Sequence, residues 1–380
     1  MEKKGEKYVK NFKYHIVLFL CCLLLVGCAQ TRILERISLV TLIGYDLIEE
    51  NKVTSTSVIR QINPEFESRV EIQTETEDTS KGTRIKVDMK TAKTLAAGQL
   101  RVVLFGEELA KKGIEQPIHT LMMNNEVSTS IYLAVAKGTS QSLIEYPYKD
   151  ISDIGQHIYN LMNHNIKQQQ AISSTSHEIV RDNYSKIRNF ALPILNKEDE
   201  FIQLDGIAFF RLGKMVGELS EGDIAYVMML RGDFDNGTVE MPLDGKMVDE
   251  TIFKDKPLLI AVDSIRSKRS IKVADPEANV FDMKIKIDCR LLEVDASLRT
   301  DDPVILEKIE KAMNKKIKSE LTRVLDYSKE IDSDIYGFGE QYAAQVRNAN
   351  LTEEKWSEMY KNMKVNIDVD VEIIRNGVFE

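Results

Sequence analysis

The most regular patterning lies toward the C-terminal end. Val365, Ile367, Val369, Val371 and Ile373 alternate with Asn366, Asp368, Asp370 and Glu372. A period of two sends these sets to opposite faces, which predicts a strand with one wet face. Phe281, Met283, Ile285, Ile287, Cys289 and Leu291 repeat the pattern upstream. Between the two, Ile305, Ile309, Met313, Ile317, Leu321 and Val324 are spaced by four and three, the stripe of a long amphipathic helix. Asp302-Pro303 supplies its N-cap and a proline at the first helical position. Gly337-Phe338-Gly339 reads as a loop or helix entry. A shorter helix follows over Thr352–Tyr360, with an incomplete capping box because Lys355 stands where Glu or Gln would close it. Residues 276–380 therefore read as a compact α+β domain, strand–helix–helix–strand.

Upstream the patterns shorten. Ile37–Asp46 and Val53–Ile62 are expected strands, the second ending at the turn signal Asn63-Pro64. Residues 64–83 are polar and predict a loop or hairpin, and Lys90–Ala97 a short helix. Gln99–Phe105 and Ile131–Ala136 are apolar runs of buried strands. Gly106 ends the first, and Glu107–Lys112 opens a helix with acids first and lysines last, as the helix dipole favours. Longer helices are expected near 150–170 and 176–190. From 196 to 275 the chain predicts a smaller β-rich unit. It comprises a strand over Gly206–Arg211, a turn at Gly213, a helix over Glu221–Leu230, a turn over 231–237, and one or two strands over Leu258–Val273. These last strands bend around a solvated run at Arg266–Arg269. The expectation is thus a mixed α/β chain in three domains, 28–195, 196–275 and 276–380, preceded by a leader over 1–27.

The leader differs from the body in charge and length. Residues 1–27 hold five lysines and two glutamates, +3, which subtracted from the net −9 leaves −12 for the rest. An acidic body argues against nucleic acid as a partner. Ile16–Val26 is uncharged for 11 residues, whereas a spanning helix needs about 20. A basic start and a short apolar run describe a signal peptide. It ends in Leu25-Val26-Gly27-Cys28, which looks like a bacterial lipobox. Cleavage before Cys28 would leave its thiol to carry a diacylglyceryl group. Two acyl chains, at about 0.8 kcal/mol per buried methylene, hold a protein on a membrane where one is marginal. Cys21 and Cys22 would leave with the leader, so Cys289 remains without an intramolecular partner, a buried strand residue.

Candidate chemistry is sparse. The sequence has no nucleophile elbow, phosphate-binding loop, dinucleotide fingerprint or zinc-protease helix. His157 and His164 are seven apart, whereas co-ligation on a helix prefers three or four, and they read as solvated or hydrogen-bonded. Asp233, Asp235 and Asn236 lack the register and the closing glutamate of a calcium loop. No catalytic residue, metal site or cofactor is implied. That favours a binding, scaffold or coupling role over an enzyme.

Four segments carry a likeness to a known family: ERISLVTLIGYD at 35–46 after the lipobox, QLRVVLFGEELAKKGI at 99–114 with MMNNEVSTSIYLAVAKGTS at 122–140, LDGIAFFRLGKMVGELS at 204–220, and the tail from IYGFGEQY at 335–342 through Trp356 to Asn376-Gly377. In order and spacing the chain resembles the Ger(x)C family, the lipoprotein C subunits of spore germinant receptors. It departs from the family's usual Trp-Asp after the lipidated cysteine, having Ala29-Gln30. The resemblance implies a three-domain ectodomain without catalytic activity, on the outer face of the spore inner membrane. It implies as partners two integral membrane subunits, A and B, in a complex triggered by a small-molecule nutrient, and membrane lipid through Cys28. The alternative class is a solute-binding lipoprotein of an importer, which usually shows two similar lobes.

Overall fold

The computed structural model describes residues 37–48, 52–62, 69–232, 234–254 and 256–374. The leader, Cys28 and Asn376-Gly377 lie outside them.

The first sheet is built around parallel strands. β1 (Ile37–Ile48), β5 (Val102–Gly106), β6 (Tyr132–Ala136) and β7 (Ala191–Glu198) run side by side in one direction, with the short β4 (Thr94–Ala96) beside the start of β1. β2 (Lys52–Gln61) and β3 (Arg69–Glu77) extend one edge as antiparallel neighbours, and β8 (Phe201–Arg211) and β9 (Lys214–Ser220) the other. Helices cover both faces. α1 (Ser80–Lys90), α2 (Glu107–Lys112), α3 (Glu115–Met122) and α6 (Ser176–Asn183) bury Val87, Leu109, Ile118 and Ile179 on one side. α4 (Ser140–Glu145) and α5 (Ile154–Lys167) bury Leu143, Ile144, Ile158 and Met162 on the other. A parallel strand buried on both faces has no polar side, which is why 102–105 and 132–136 are unbroken apolar runs.

The second sheet runs β10 (Asp235–Leu243), β11 (Leu258–Asp275), β12 (Val280–Val294), β13 (Lys364–Ile373), with the last pair parallel. α7 (Ile224–Arg231) and α8 (Pro303–Glu330) pack on its apolar face, followed by α9 (Phe338–Gln345) and α10 (Glu353–Asn362). α8 starts as the sequence indicates: Asp302 caps it, accepting from the Val304 N–H at 2.9 Å, with proline in the first turn. Ile309, Met313, Ile317, Leu321 and Val324 are all buried. Cys289 is buried and free, as expected, and burial pushes its thiol up to about 12.

Several local expectations fail. For the polar stretch 64–83, expected as a loop or hairpin, the hairpin holds, since β3 pairs antiparallel with β2, but the stretch also contains the first turn of α1. RVEIQTETE is an edge strand with one core neighbour, and an edge can be polar. The helix expected over Lys90–Ala97 is displaced: α1 ends at Lys90, and 94–96 is a strand. The helix expected to reach 190 stops at Asn183, because 191–198 is taken up by β7. Asp235 and Asn236, read as turn residues, begin β10. The run Arg266–Arg269 lies inside β11, which continues past an irregularity near Ser264 rather than turning. The expected boundary between 195 and 196 falls within β7, and β8 and β9 hydrogen-bond into the first sheet. Ile207, Phe209 and Leu219 of these strands share one core with α7, α8 and the second sheet.

Candidate functional site

Two places gather the conspicuous side chains of the described residues, and each centres on a buried carboxylate. The first lies at the C-terminal ends of the parallel strands, where open α/β sheets usually bind ligands. Asp46 lies near the end of β1 there. It accepts from the Ser140 N–H at 2.7 Å, the Ser140 hydroxyl at 2.8 Å and the Gln141 N–H at 2.9 Å, and so occupies the N-terminus of α4. An anion is favoured at that position by the unpaired N–H groups and the helix dipole. Burial raises its pKa, with those three donors opposing. Gly106 lies against it: a Cβ at 106 would stand 2.0 Å from Asp46 Oδ1. Beside it the Glu107 N–H donates to the Gly138 carbonyl at 2.9 Å, and the Gly138 N–H returns a bond to the Glu107 carboxylate at 3.2 Å. The Gly-x-Asp, Gly-Glu-Glu and Lys-Gly-Thr-Ser segments thus meet at one point. The protein's own carboxylate thus takes the donors at the start of α4 that a ligand's phosphate or carboxylate would otherwise take.

The second place joins the two sheets. Asp334 lies between α8 and α9 and is 1% exposed. Its Oδ1 accepts from the N–H groups of Tyr336, Gly337 and Phe338 at 3.2, 2.8 and 3.2 Å. Its Oδ2 accepts from the Gly339 N–H at 2.9 Å and the Trp356 indole at 3.2 Å. Gly337 has φ +79°, a left-handed conformation that costs glycine little. Gly339 has no room for a side chain, since a Cβ would stand 2.3 Å from the Ile187 carbonyl oxygen. Of the two readings of Gly-Phe-Gly, loop or helix entry, the second is right: Gly337 caps α9, Phe338 and Gly339 open it, and their backbone donors turn to Asp334. Burial nevertheless pushes this carboxyl up to about 6, against the pull of the backbone donors and the Arg188 charge.

The same segment ties to the first sheet. Asn189 and Asp334 exchange bonds at 2.8 and 2.9 Å, and the Ser333 hydroxyl donates to the Phe210 carbonyl at 2.8 Å. Arg188 pairs with Glu340 at 2.7 Å and Arg211 with Asp332 at 3.0 Å. Arg269, expected in a solvated run, instead donates to the carbonyls of Leu230 and Tyr336, closing the end of α7. Asp46 and Asp334 were not singled out from sequence. The available signal was an aspartate just before a glycine-rich turn, for Asp334, and an aspartate near the end of an apolar strand, for Asp46. His157 is half-buried, with its pKa lowered by that burial, while His164 is exposed on the same helix. Among the described residues no group of three His, Cys, Asp or Glu could hold a metal ion. Among them, too, no helix is long and apolar enough to cross a membrane.

Two family models divide the chain between them. Residues 30–197 match a spore germination protein N-terminal domain, and residues 205–377 match the C-terminal domain described as spore germination B3/GerAC like. The chain belongs to the Ger(x)C family. The spore germination protein GerQC of Bacillus cereus is 26% identical over 369 residues, 97% of this chain and 100% of that protein. Spore germination protein A3 of Bacillus subtilis (strain 168) is 21% identical over 73% of each. The crystal structure of the GerBC protein superposes with a TM-score of 0.54 at 18% identity, covering 88% of this chain and 97% of that one. At that identity the likeness speaks for the shared mixed α+β fold. The gap between the two family models, 198–204, falls at the β7–β8 hairpin, while the Asp334 turn and Trp356 lie in the second.

Proposed function

We propose that this Ger(x)C protein is a non-catalytic lipoprotein subunit of a nutrient germinant receptor. It is held on the outer face of the spore inner membrane by lipid on Cys28 and sits beside integral membrane A and B subunits. The observation that carries this reading is collinearity: GerQC matches along 97% of this chain and all of its own length. Two features support it. At the C-terminal ends of the parallel strands, the donors at the start of α4 are taken by Asp46. The other buried carboxylate, Asp334, is surrounded by backbone donors and lines a cavity of only about 50 Å³.

The test is a deletion in a spore former without redundant receptors, scored by nutrient-triggered germination, together with Cys28→Ala. Deletion is expected to abolish the response to one nutrient and leave vegetative growth normal. Cys28→Ala is expected to release the protein from spore membranes while the purified protein still captures its A and B partners. Normal germination to every nutrient overturns the receptor role. Retention of the Cys28→Ala protein on the membrane overturns the anchor.

A further inference from the structure

A large cavity lies under α1, between that helix, α3 and the face of β1 and β2 opposite α4. Its volume is about 680 Å³, within the range of about 300–1,000 Å³ typical of small-molecule sites. Val40, Ile43, Val87 and Leu95 form an apolar wall.

The polar groups on the strand side are unusual. Tyr45, Ser55 and Ser57 are 5%, 2% and 6% exposed, all line the cavity, and none of their hydroxyls bonds to another described side chain or backbone group. These side chains are buried, and they line the cavity, where a guest can bond to their hydroxyls. They are also neighbours. Tyr45 on β1 stands opposite Ser55 on β2, and Ile43 opposite Ser57, so all three project from one face. The Tyr45 ring stacks on Phe105 at 6.2 Å, which fixes its direction.

One charged group faces these hydroxyls from the helix. Arg84 of α1 lines the cavity, and its charge reaches the Tyr45 phenol, where it opposes the effect of burial. Its ion pair with Glu126 is long, at 4.0 Å. The two acids of the rim are committed elsewhere: Asp88 accepts from the Leu95 N–H at 3.2 Å and Glu126 from the Ala97 N–H at 3.1 Å. The Arg84 guanidinium, with five N–H groups and only a long ion pair, therefore has donors left for an acceptor in the cavity. Lys81 adds a second cation at the mouth and His119 lies at the rim on α3. Lys86 and Lys90 pair with Glu77 and Glu75 of β3 and hold the helix over the opening.

We propose that this cavity binds a small amphipathic monocarboxylate, its carboxylate between Arg84 and the hydroxyls of Tyr45, Ser55 and Ser57 and its apolar body on Val40, Ile43, Val87 and Leu95. The site is distinct from the Asp334 junction. Its occupancy is read on this chain alone, so the result leaves the receptor role untouched either way.

The experiment is calorimetric titration of the full chain in lipid nanodiscs, with empty nanodiscs subtracted, against phenylvalerate, phenylpentanol and phenylpentylammonium. Phenylvalerate is expected to bind saturably, the alcohol about tenfold more weakly, and the ammonium without saturation. Arg84→Gln is expected to weaken phenylvalerate about tenfold or more, as is Ser55→Ala with Ser57→Ala, each change removing donors to a charged acceptor. Unchanged melting temperatures identify these as losses at the site. Absence of saturable binding, equal binding of the three probes, or unaltered affinity in both variants overturns the proposal. If either variant melts early, the ranking of the three probes on the wild type decides.

Discussion

Replacing Asp334 by asparagine separates two opposing effects on one carboxyl. Five N–H donors surround it, at 2.8 to 3.2 Å, and such donors alone can hold a carboxylate below its ordinary range. Complete burial works the other way and is the larger effect, so the group titrates at about 6 instead of 3.8. Between these two values the folded protein keeps a proton that the unfolded chain has released. Unfolding there releases a proton, so this group's contribution is fully present below about 4 and is lost as pH rises through about 6. The difference is worth about 3 kcal/mol. Asparagine does not titrate. It also turns an amide N–H₂ toward donors that need an acceptor, which costs about 1–3 kcal/mol at any pH. The destabilisation caused by Asp334→Asn should therefore be largest near pH 4 and shrink by about 3 kcal/mol toward pH 7. Urea unfolding followed by Trp356 fluorescence measures it directly. Trp356 is the sole tryptophan of the sequence, and its indole bonds to Asp334. A penalty that stays constant with pH, or grows as pH rises, refutes the reasoning. It would mean that the donors prevail over burial and the carboxylate is charged throughout.

Gly106→Ala drives a methyl group into Asp46. It should cost about 1–3 kcal/mol, seen as a lower melting temperature, and Asp46→Gly in the same chain should relieve part of it. Arg269→Met keeps the apolar stem but removes the bonds to the Leu230 and Tyr336 carbonyls; a loss of about 2 kcal/mol in urea unfolding is expected, and none if Arg269 belongs to a solvated run. Leu321→Ala opens a cavity beneath α8 at a fully buried position and should cost about 2–5 kcal/mol by the same assay. Cys289 should resist alkylation in the folded protein at pH 8, because its thiol is buried and titrates at about 12; mass spectrometry should find it modified only after unfolding.

How much could be read from sequence followed the reach of each signal. α8, β12 and β13 are legible because every third or fourth residue, or every second, meets the same apolar neighbour along the whole element. The parallel strands β5 and β6 are legible because both faces are covered. The lipobox candidate at Cys28 is a local motif and needs no fold to be recognised, as is the buried place of Cys289 in an alternating strand. The collinear family segments likewise lie in the sequence itself. β4, β7 and β10 were not legible, and β3 only as the hairpin alternative to a loop, because short or edge strands take their stability from neighbours far along the chain. β3 depends on β2, and β7 on β6 and β8. Where 196–220 belongs is decided by strand pairing, which no local pattern records.

The class of the protein and its long periodic elements can be read from the chain alone, since periodicity and motif are properties of neighbouring residues. What the buried polar residues do depends on the folded chain. Asp46 becomes the anion at a helix 94 residues away. Asp334 becomes the hub of a turn joined to Asn189 across 145 residues. Ser55 and Ser57, polar residues on the apolar face of a strand, become the floor of a cavity. The reason is the same in each case. A buried polar group is defined by the partner that replaces its water, and that partner is chosen by the fold and not by the adjacent residues.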